Sequence, residues 1–218
     1  RVMSDRARAT FLERGFADDR VVAVFPHFDL AEFPPPPPEP SAFRVSFVGA
    51  LEPWKGFQYL LEAYRRLALP DAELVLWGGT TSRAVARLVG AHCAGDPSVT
   101  ARAVDVREHG YDRVYGASSI LVHPSLTDGF GFVVAEAMAS GIPVIVTDRS
   151  GAADLVEDGR SGFIIKAGDV HAIADRLRWS YDHRDRLRAM GEHARSRIGA
   201  LTQQRFRETY VPRLMALT

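Results

Sequence analysis

From residue 43 onward, short apolar runs alternate with longer stretches in which apolar positions recur at helical spacing. The runs at 43–48, 73–77, 99–104, 119–123, 143–147 and 162–165 predict strands. The stretches at 56–67, 82–92, 111–117 and 132–140 predict helices, and further helices follow Asp169. Short strands separated by helices of about ten residues form a parallel sheet covered by helices on both faces, which places the chain in the α/β class. Ligands of such sheets bind at the carboxyl ends of the strands, so the loops after Val48, Trp77, Val104 and His123 are where chemistry is expected.

Ahead of that alternation the pattern changes. Residues 4–14 are polar and helical, Gly15 is a stop signal, and 21–25 is a short apolar strand; together they are too short to hold a core. Pro34 to Pro38, then Glu39 and Pro40, can join neither a helix nor a central strand and form an extended linker. The expected division is a tail of a preceding unit at 1–33, a Pro-rich linker at 34–41, the main domain at 42–200, and a C-terminal helix at 201–218.

Composition narrows the partners. With 218 residues, 46% of them hydrophobic, the chain can bury one substantial core. Lys plus Arg and Asp plus Glu balance at 27 each, so the basic excess that phosphate-backbone binding needs is lacking and nucleic acid is not an expected partner. The single cysteine, Cys93, provides neither a disulfide framework nor a multi-cysteine metal site, and a reducing, cytoplasmic setting fits. No apolar run reaches the roughly 18 residues of a membrane-spanning helix, and no charged-then-apolar leader opens the sequence.

Two loops carry candidate chemistry. Gly49-Ala50-Leu51-Glu52-Pro53-Trp54-Lys55-Gly56 runs from a strand into a helix, where an ammonium and helix N–H groups can meet one phosphate. Lysine occurs only here and at Lys166, which favours a specific role for Lys55 over that of a solvated loop lysine. No Gly-x-Gly-x-x-Gly fingerprint is present, so a nicotinamide or flavin enzyme loses its main support.

The second loop is His123-Pro124-Ser125-Leu126-Thr127-Asp128-Gly129-Phe130-Gly131, leading into a helix at Phe132. Its two glycines let backbone N–H groups approach an anion. Glu136 is the one charged residue of an otherwise apolar helix and needs hydrogen-bond donors that the nearby sequence does not offer; a ribose diol or a distant arginine would supply them. Asp128 stands where a carboxylate would also cap the helix. Eight helical steps from Asp128 to Glu136 span about 12 Å, beyond the roughly 5 to 9.5 Å of paired hydrolytic carboxylates. His123 is expected to be a packed or solvent-facing histidine, with contact to a sugar or phosphate as the other reading.

These residues resemble the signature of retaining group 1 glycosyltransferases of the GT-B fold, which carry two acidic residues separated by seven others around a Gly-Phe-Gly turn. The resemblance runs from about Val21 to Tyr210 and includes, in order, Phe47-Val48-Gly49, Lys55-Gly56, Gly141-Ile142-Pro143-Val144 and the run Gly151 to Gly159. It implies a Rossmann-like parallel sheet forming one half of a GT-B architecture, and transfer of a hexose-like group, with retention, from a nucleoside diphosphate sugar. By this resemblance Lys55, Asp128 and Glu136 are the catalytic residues. The donor-binding set is Gly49, Lys55, Asp128, Gly129, Phe130, Gly131 and Glu136, with Lys55 on the diphosphate, the Asp128 to Gly131 turn on the sugar and its phosphate, and Glu136 on the ribose. Neither a metal nor a cofactor is implied. An N-terminal acceptor-binding domain would precede Ser4, and without it the chain is expected to bind donor and transfer nothing.

Three departures from that pattern stand out. Ala50 replaces an arginine that pairs with the lysine in many members, Asp128 replaces the commoner glutamate, and Pro26-His27-Phe28-Asp29 differs from the usual crossover turn. The alternatives are a sugar-nucleotide epimerase and a nucleotide-sugar-binding module without transfer activity. The arginine-rich stretch 175–197 is expected to be a solvated outer face, with peripheral contact to anionic lipid as the other reading.

Overall fold

Six parallel strands lie in the order β3-β2-β1-β4-β5-β6 in a computed structural model that describes residues 1–33, 42–103, 110–201 and 203–215. They are β1 (Phe43–Val48), β2 (Ala72–Trp77), β3 (Val99–Arg102), β4 (Ile120–His123), β5 (Val144–Thr147) and β6 (Gly162–Ile165). The order reverses between β1 and β4, whose registers include Val45 against Ile120. A crevice opens at such a reversal, outside the strand ends.

Outside the edge strand β3, where Thr100, Ala101 and Arg102 are exposed, most strand residues are buried because the sheet is covered on both faces, and alternate residues serve opposite layers. Phe47, Leu74, Leu76, Val122 and Ile145 pack under α2 (Phe57–Leu67) and α6 (Val170–Asp182), against Phe57, Leu60, Leu61, Ile173 and Leu177. Val48, Val75, Leu121, Val144 and Val146 face the other way, against Val134, Ala137 and Met138 of α5 (Phe132–Ala139) and Ala194 and Ile198 of α7 (Arg184–Gly199). The remaining α-helices among the described residues are α1 (Asp5–Leu12), α3 (Arg83–Gly95), α4 (Tyr111–Tyr115) and α8 (Gln203–Met215). The predicted strand end at Val104 and the Pro-rich linker 34–41 lie outside the described residues.

The segment at 1–33 differs from its expectation in one respect. Residues 21–25 form no strand: Ala23 makes a single bridge to Val2, through Val2 N–H to Val22 O and Val24 N–H to Val2 O. The apolar run is buried by packing, and its partner is too short to make a ladder. Helix α1, capped by the buried Ser4, docks on the turn Gly151–Leu155, where Arg6 N–H donates to Asp154 Oδ2 at 2.9 Å. Phe33 is buried in the second layer, and Arg195 donates to the carbonyls of Leu30, Phe33 and Ala139.

The arginines of 175–197 are largely engaged with their own fold. Arg184 stacks on Tyr181 at 4.0 Å, Arg176 on Phe163 at 4.8 Å, and Arg197 Nε donates to Leu155 O at 2.7 Å. Among the described residues, no helix is long and apolar enough to cross a membrane.

Candidate functional site

The loops after β1 and β4 meet over the reversal in strand order. In the first, Pro53–Lys55 forms one tight 3-10 turn closed by Gly56 at φ +75°. A Cβ at Gly56 would lie 2.0 Å from Pro124 O, so only glycine lets this turn press against the end of β4. Trp54 O accepts from Ser125 Oγ at 3.0 Å and Leu126 N–H at 2.8 Å, and Thr147 Oγ1 donates to Ser125 O at 2.6 Å. Asp128 is threaded onto the loop after β5 by its N–H to Arg149 O and by Gly151 N–H to its own carbonyl, both 3.1 Å.

That lacing brings two predicted residues together. Lys55 Nζ lies 2.7 Å from Asp128 Oδ2, and His123 Nε2 approaches the same oxygen at 3.0 Å. Phe130 N–H donates to Asp128 Oδ1 at 3.3 Å, a side-chain turn that holds the carboxylate over its own loop. Burial alone would raise the Asp128 carboxyl, but hydrogen bonds from His123 and Lys55, and the charge beside them, hold it well below the ordinary carboxylate range. His123 is therefore part of the cluster, and its side chain is packed, as the first of its two readings had it. Its place at the end of β4, five residues before Asp128, is the signal that pointed to it.

The other predicted residues fall into different places. Asp128 does not cap α5, because the three residues 129–131 intervene and Gly131, at φ +89°, takes the capping position without a side-chain bond. The eight steps from Asp128 to Glu136 are thus only partly helical, and the 12 Å expectation does not apply to them. Gly129 is exposed with open space where a Cβ would stand, whereas a Cβ on Gly131 would meet Ser150 Oγ at 2.7 Å. Phe130 turns its ring into the core, and its carbonyl accepts from Ser150 Oγ at 3.0 Å. Gly49 N–H is bonded to Trp77 O at 2.9 Å, and its carbonyl backs onto Gly78, where a Cβ would come within 1.8 Å. Ala50 and Arg83 are both exposed.

Glu136 is half-buried and has a donor that the local sequence did not reveal: Tyr115 Oη donates to its Oε2 at 2.8 Å. Burial pushes the Tyr115 hydroxyl far above its ordinary pKa, and the neighbouring carboxylate adds to the shift, so the hydroxyl remains a donor. Among the described residues, no group of three or more His, Cys, Asp or Glu side chains is placed to hold a metal ion.

Residues 31–197 match the family model described as Glycosyl transferases group 1, and the chain belongs to that family of transferases. It is 34% identical over 173 residues to D-inositol 3-phosphate glycosyltransferase of Mycolicibacterium gilvum, a match covering 72% of this chain and 38% of that protein. It is 27% identical over 161 residues to the capsular polysaccharide biosynthesis glycosyltransferase CapM of Staphylococcus aureus, covering 72% of this chain and 41% of the relative. These matches span less than half the length of those relatives. In fold it is similar to Anabaena Alr3699/HepE, solved with UDP, with TM-score 0.87, 19% identity, and coverage of 99% of this chain and 63% of that one. Sucrose-phosphate synthase from Thermosynechococcus elongatus gives a TM-score of 0.80 at 25% identity, over 100% of this chain and 58% of the other. The Rossmann-like α/β fold expected of a GT-B half is the fold observed.

Proposed function

We propose that this chain binds a nucleoside diphosphate sugar and acts as the donor half of an enzyme that transfers a hexose-like group, with retention, to an acceptor. The observation that carries the reading is the meeting of Lys55 and Asp128, from the loops after β1 and β4, over the reversal in strand order. Lys55 would hold the diphosphate, the Asp128 to Gly131 turn the sugar and its phosphate, and Glu136 the ribose. Support comes from α5, whose first N–H groups have no side-chain cap and point their partial positive charge toward that turn. Lys55 and this helix end would together stabilise negative charge growing on the leaving diphosphate, which requires no reorganisation at the moment of reaction. The acceptor groups would come from an N-terminal domain outside this chain, and the setting we infer is the cytoplasm.

Anabaena Alr3699/HepE, similar in fold, was solved with UDP and with UDP-glucose, which selects the probes. Calorimetric titration with UDP, UDP-glucose and uridine is the test. We expect both phosphorylated ligands to bind and uridine to bind far more weakly. Equal affinity for UDP and uridine would sink the phosphate assignment. A second reading, a binding module without transfer, is favoured by Ala50, which leaves the diphosphate loop one cation short. Its test is transfer by the full enzyme with Ala50 in place.

A further inference from the structure

Asp128 Oδ2 accepts from two donors of different kinds. Lys55 Nζ ends a flexible four-carbon stem, and its side chain is 27% exposed. The His123 side chain is 2% exposed and has only two rotatable bonds; it stands on β4, which is paired on both sides with β1 and β5. An ionised carboxylate only accepts, so His123 Nε2 carries the hydrogen. His123 Nδ1 is buried and has no hydrogen-bond partner among the described residues, which suits a bare ring nitrogen and not a second N–H. The ring also has a prepared space: a Cβ on Gly131 would lie 3.3 Å from His123 Nε2, so the glycine leaves room for the imidazole beneath the carboxylate.

A diphosphate arriving at the Lys55 loop competes with Asp128 for the ammonium, and Lys55 can follow it because its stem is mobile. Asp128 Oδ2 would then keep one rigid donor, His123, while Oδ1 keeps the longer bond from Phe130 N–H at 3.3 Å. We propose that His123 is a positioning residue, whose Nε2–H holds Asp128 in place for the donor sugar while Lys55 is drawn to the diphosphate. This rests on the donor-site reading above and adds the side chain that, together with Phe130 N–H, keeps Asp128 in place without Lys55. His123 itself touches no ligand in this scheme.

One measurement needs no ligand. In 15N NMR of the chain, His123 should show hydrogen on Nε2 and none on Nδ1. Lys55→Ala should leave that signature in place, and Asp128→Ala should move it. Loss of the signature in Lys55→Ala would mean that Lys55, not His123, fixes the carboxylate, and the proposal would fail whatever the chain binds. The second measurement compares Kd for UDP-glucose and UDP. His123→Phe, which keeps the ring volume without the donor, should weaken UDP-glucose about fivefold more than UDP. His123→Gln, whose amide reaches the place of Nε2, should recover most of that difference. In an Asp128→Ala background, His123→Phe should add no further discrimination. Equal weakening of both ligands, or an additive double mutant, overturns the proposal while leaving the donor site standing. A wild-type chain that binds neither ligand overturns the donor site itself. Should His123→Phe fail to fold, His123→Gln against His123→Asn decides, since asparagine stops short of the carboxylate; equal discrimination by the two refutes the positioning role.

Discussion

Lys55 and Asp128 stand 73 residues apart in the chain and 2.7 Å apart in the fold, joined by an ion pair whose carboxylate is shared with His123. Two local devices produce that meeting. Gly56 lets the Lys55 turn lie against Pro124, and the Asp128 side chain folds back onto Phe130 N–H instead of capping α5. A charge pair this sheltered, with the Asp128 side chain 13% exposed, is held by hydrogen bonds as much as by attraction.

The pH dependence follows from the direction of the Asp128 shift. Its carboxyl lies below the ordinary value of 3.8 in the folded chain, so the unfolded chain takes up the proton first. Its stabilising contribution is complete above the unfolded pKa and is lost as pH falls through the folded one. Hydrogen bonds to a charged group contribute about 1.5–3 kcal/mol. Urea unfolding of wild type and Asp128→Asn should therefore differ by about that amount at pH 5, and the gap should narrow as the pH is taken down to about 3. A gap that widens in acid would show that Asp128 is not held as an anion.

Gly56 and Gly129 should respond in opposite ways to the same substitution. Gly56→Ala forces a left-handed conformation on a residue with a Cβ, costing about 1–2 kcal/mol, and drives that Cβ into Pro124 O. Gly129→Ala meets nothing within 4 Å, so its stability should stay within about 0.5 kcal/mol of wild type. If the open space over Gly129 receives the donor, the alanine there should instead weaken UDP-glucose binding. Unfolding curves and titrations on both variants check this, and an unaffected Gly56→Ala stability would contradict the close approach of the two loops.

How much of this was legible in the sequence depends on whether the cause was local. The strands at 43–48 and 162–165 end where the pattern places them, because an apolar run bounded by polar or glycine positions is a local signal. Residues 21–25 carry the same signal and make no strand, since a ladder needs a partner that periodicity cannot supply. The acidic pair was visible as spacing, yet its surroundings were not. Tyr115 comes 21 residues before Glu136 and reaches it from α4, and the His123 contact depends on the β4 loop folding back on itself. Phe130 read as part of a ligand turn, and its ring proves to be core, because one residue can offer backbone to a loop and side chain to the interior.

Tyr115 changes what a substitution at Glu136 means. Glu136→Ala removes the acceptor of a buried hydroxyl, and an unsatisfied buried donor costs about 1–3 kcal/mol. Lower stability in that variant therefore says nothing about ribose. Glu136→Gln keeps an acceptor for Tyr115 and removes the carboxylate, so it should melt near wild type and bind UDP about fivefold or more weakly. Calorimetry and thermal melting separate the two effects, and wild-type UDP affinity in Glu136→Gln would remove the ribose assignment.

The remaining prediction concerns Ala50, where this chain departs from the pattern it resembles. The loop that carries it is pinned on both sides, by Gly49 N–H to Trp77 O and Leu51 N–H to Gly79 O, each at 2.9 Å, and Ala50 itself is exposed. An arginine there would emerge from a fixed backbone five residues before Lys55. If the diphosphate lies at this loop, the guanidinium adds charge-assisted hydrogen bonds worth about 1.5–3 kcal/mol, so Ala50→Arg should tighten UDP about tenfold or more. The gain should shrink with added salt, since the site is open to solvent. Lys55→Ala should weaken UDP by a similar factor, and uridine should be indifferent to both changes. The competing source of a second cation is Arg83, exposed at the first residue of α3 beyond the Gly78-Gly79 turn. If Arg83 already serves the diphosphate, Ala50→Arg gains little and Arg83→Ala carries the loss instead. Titrating UDP and uridine against the wild type and these three variants separates the two arrangements. UDP bound by Lys55→Ala as tightly as by the wild type would show that the loop after β1 is not the phosphate loop, and Ala50 would then be an ordinary surface residue.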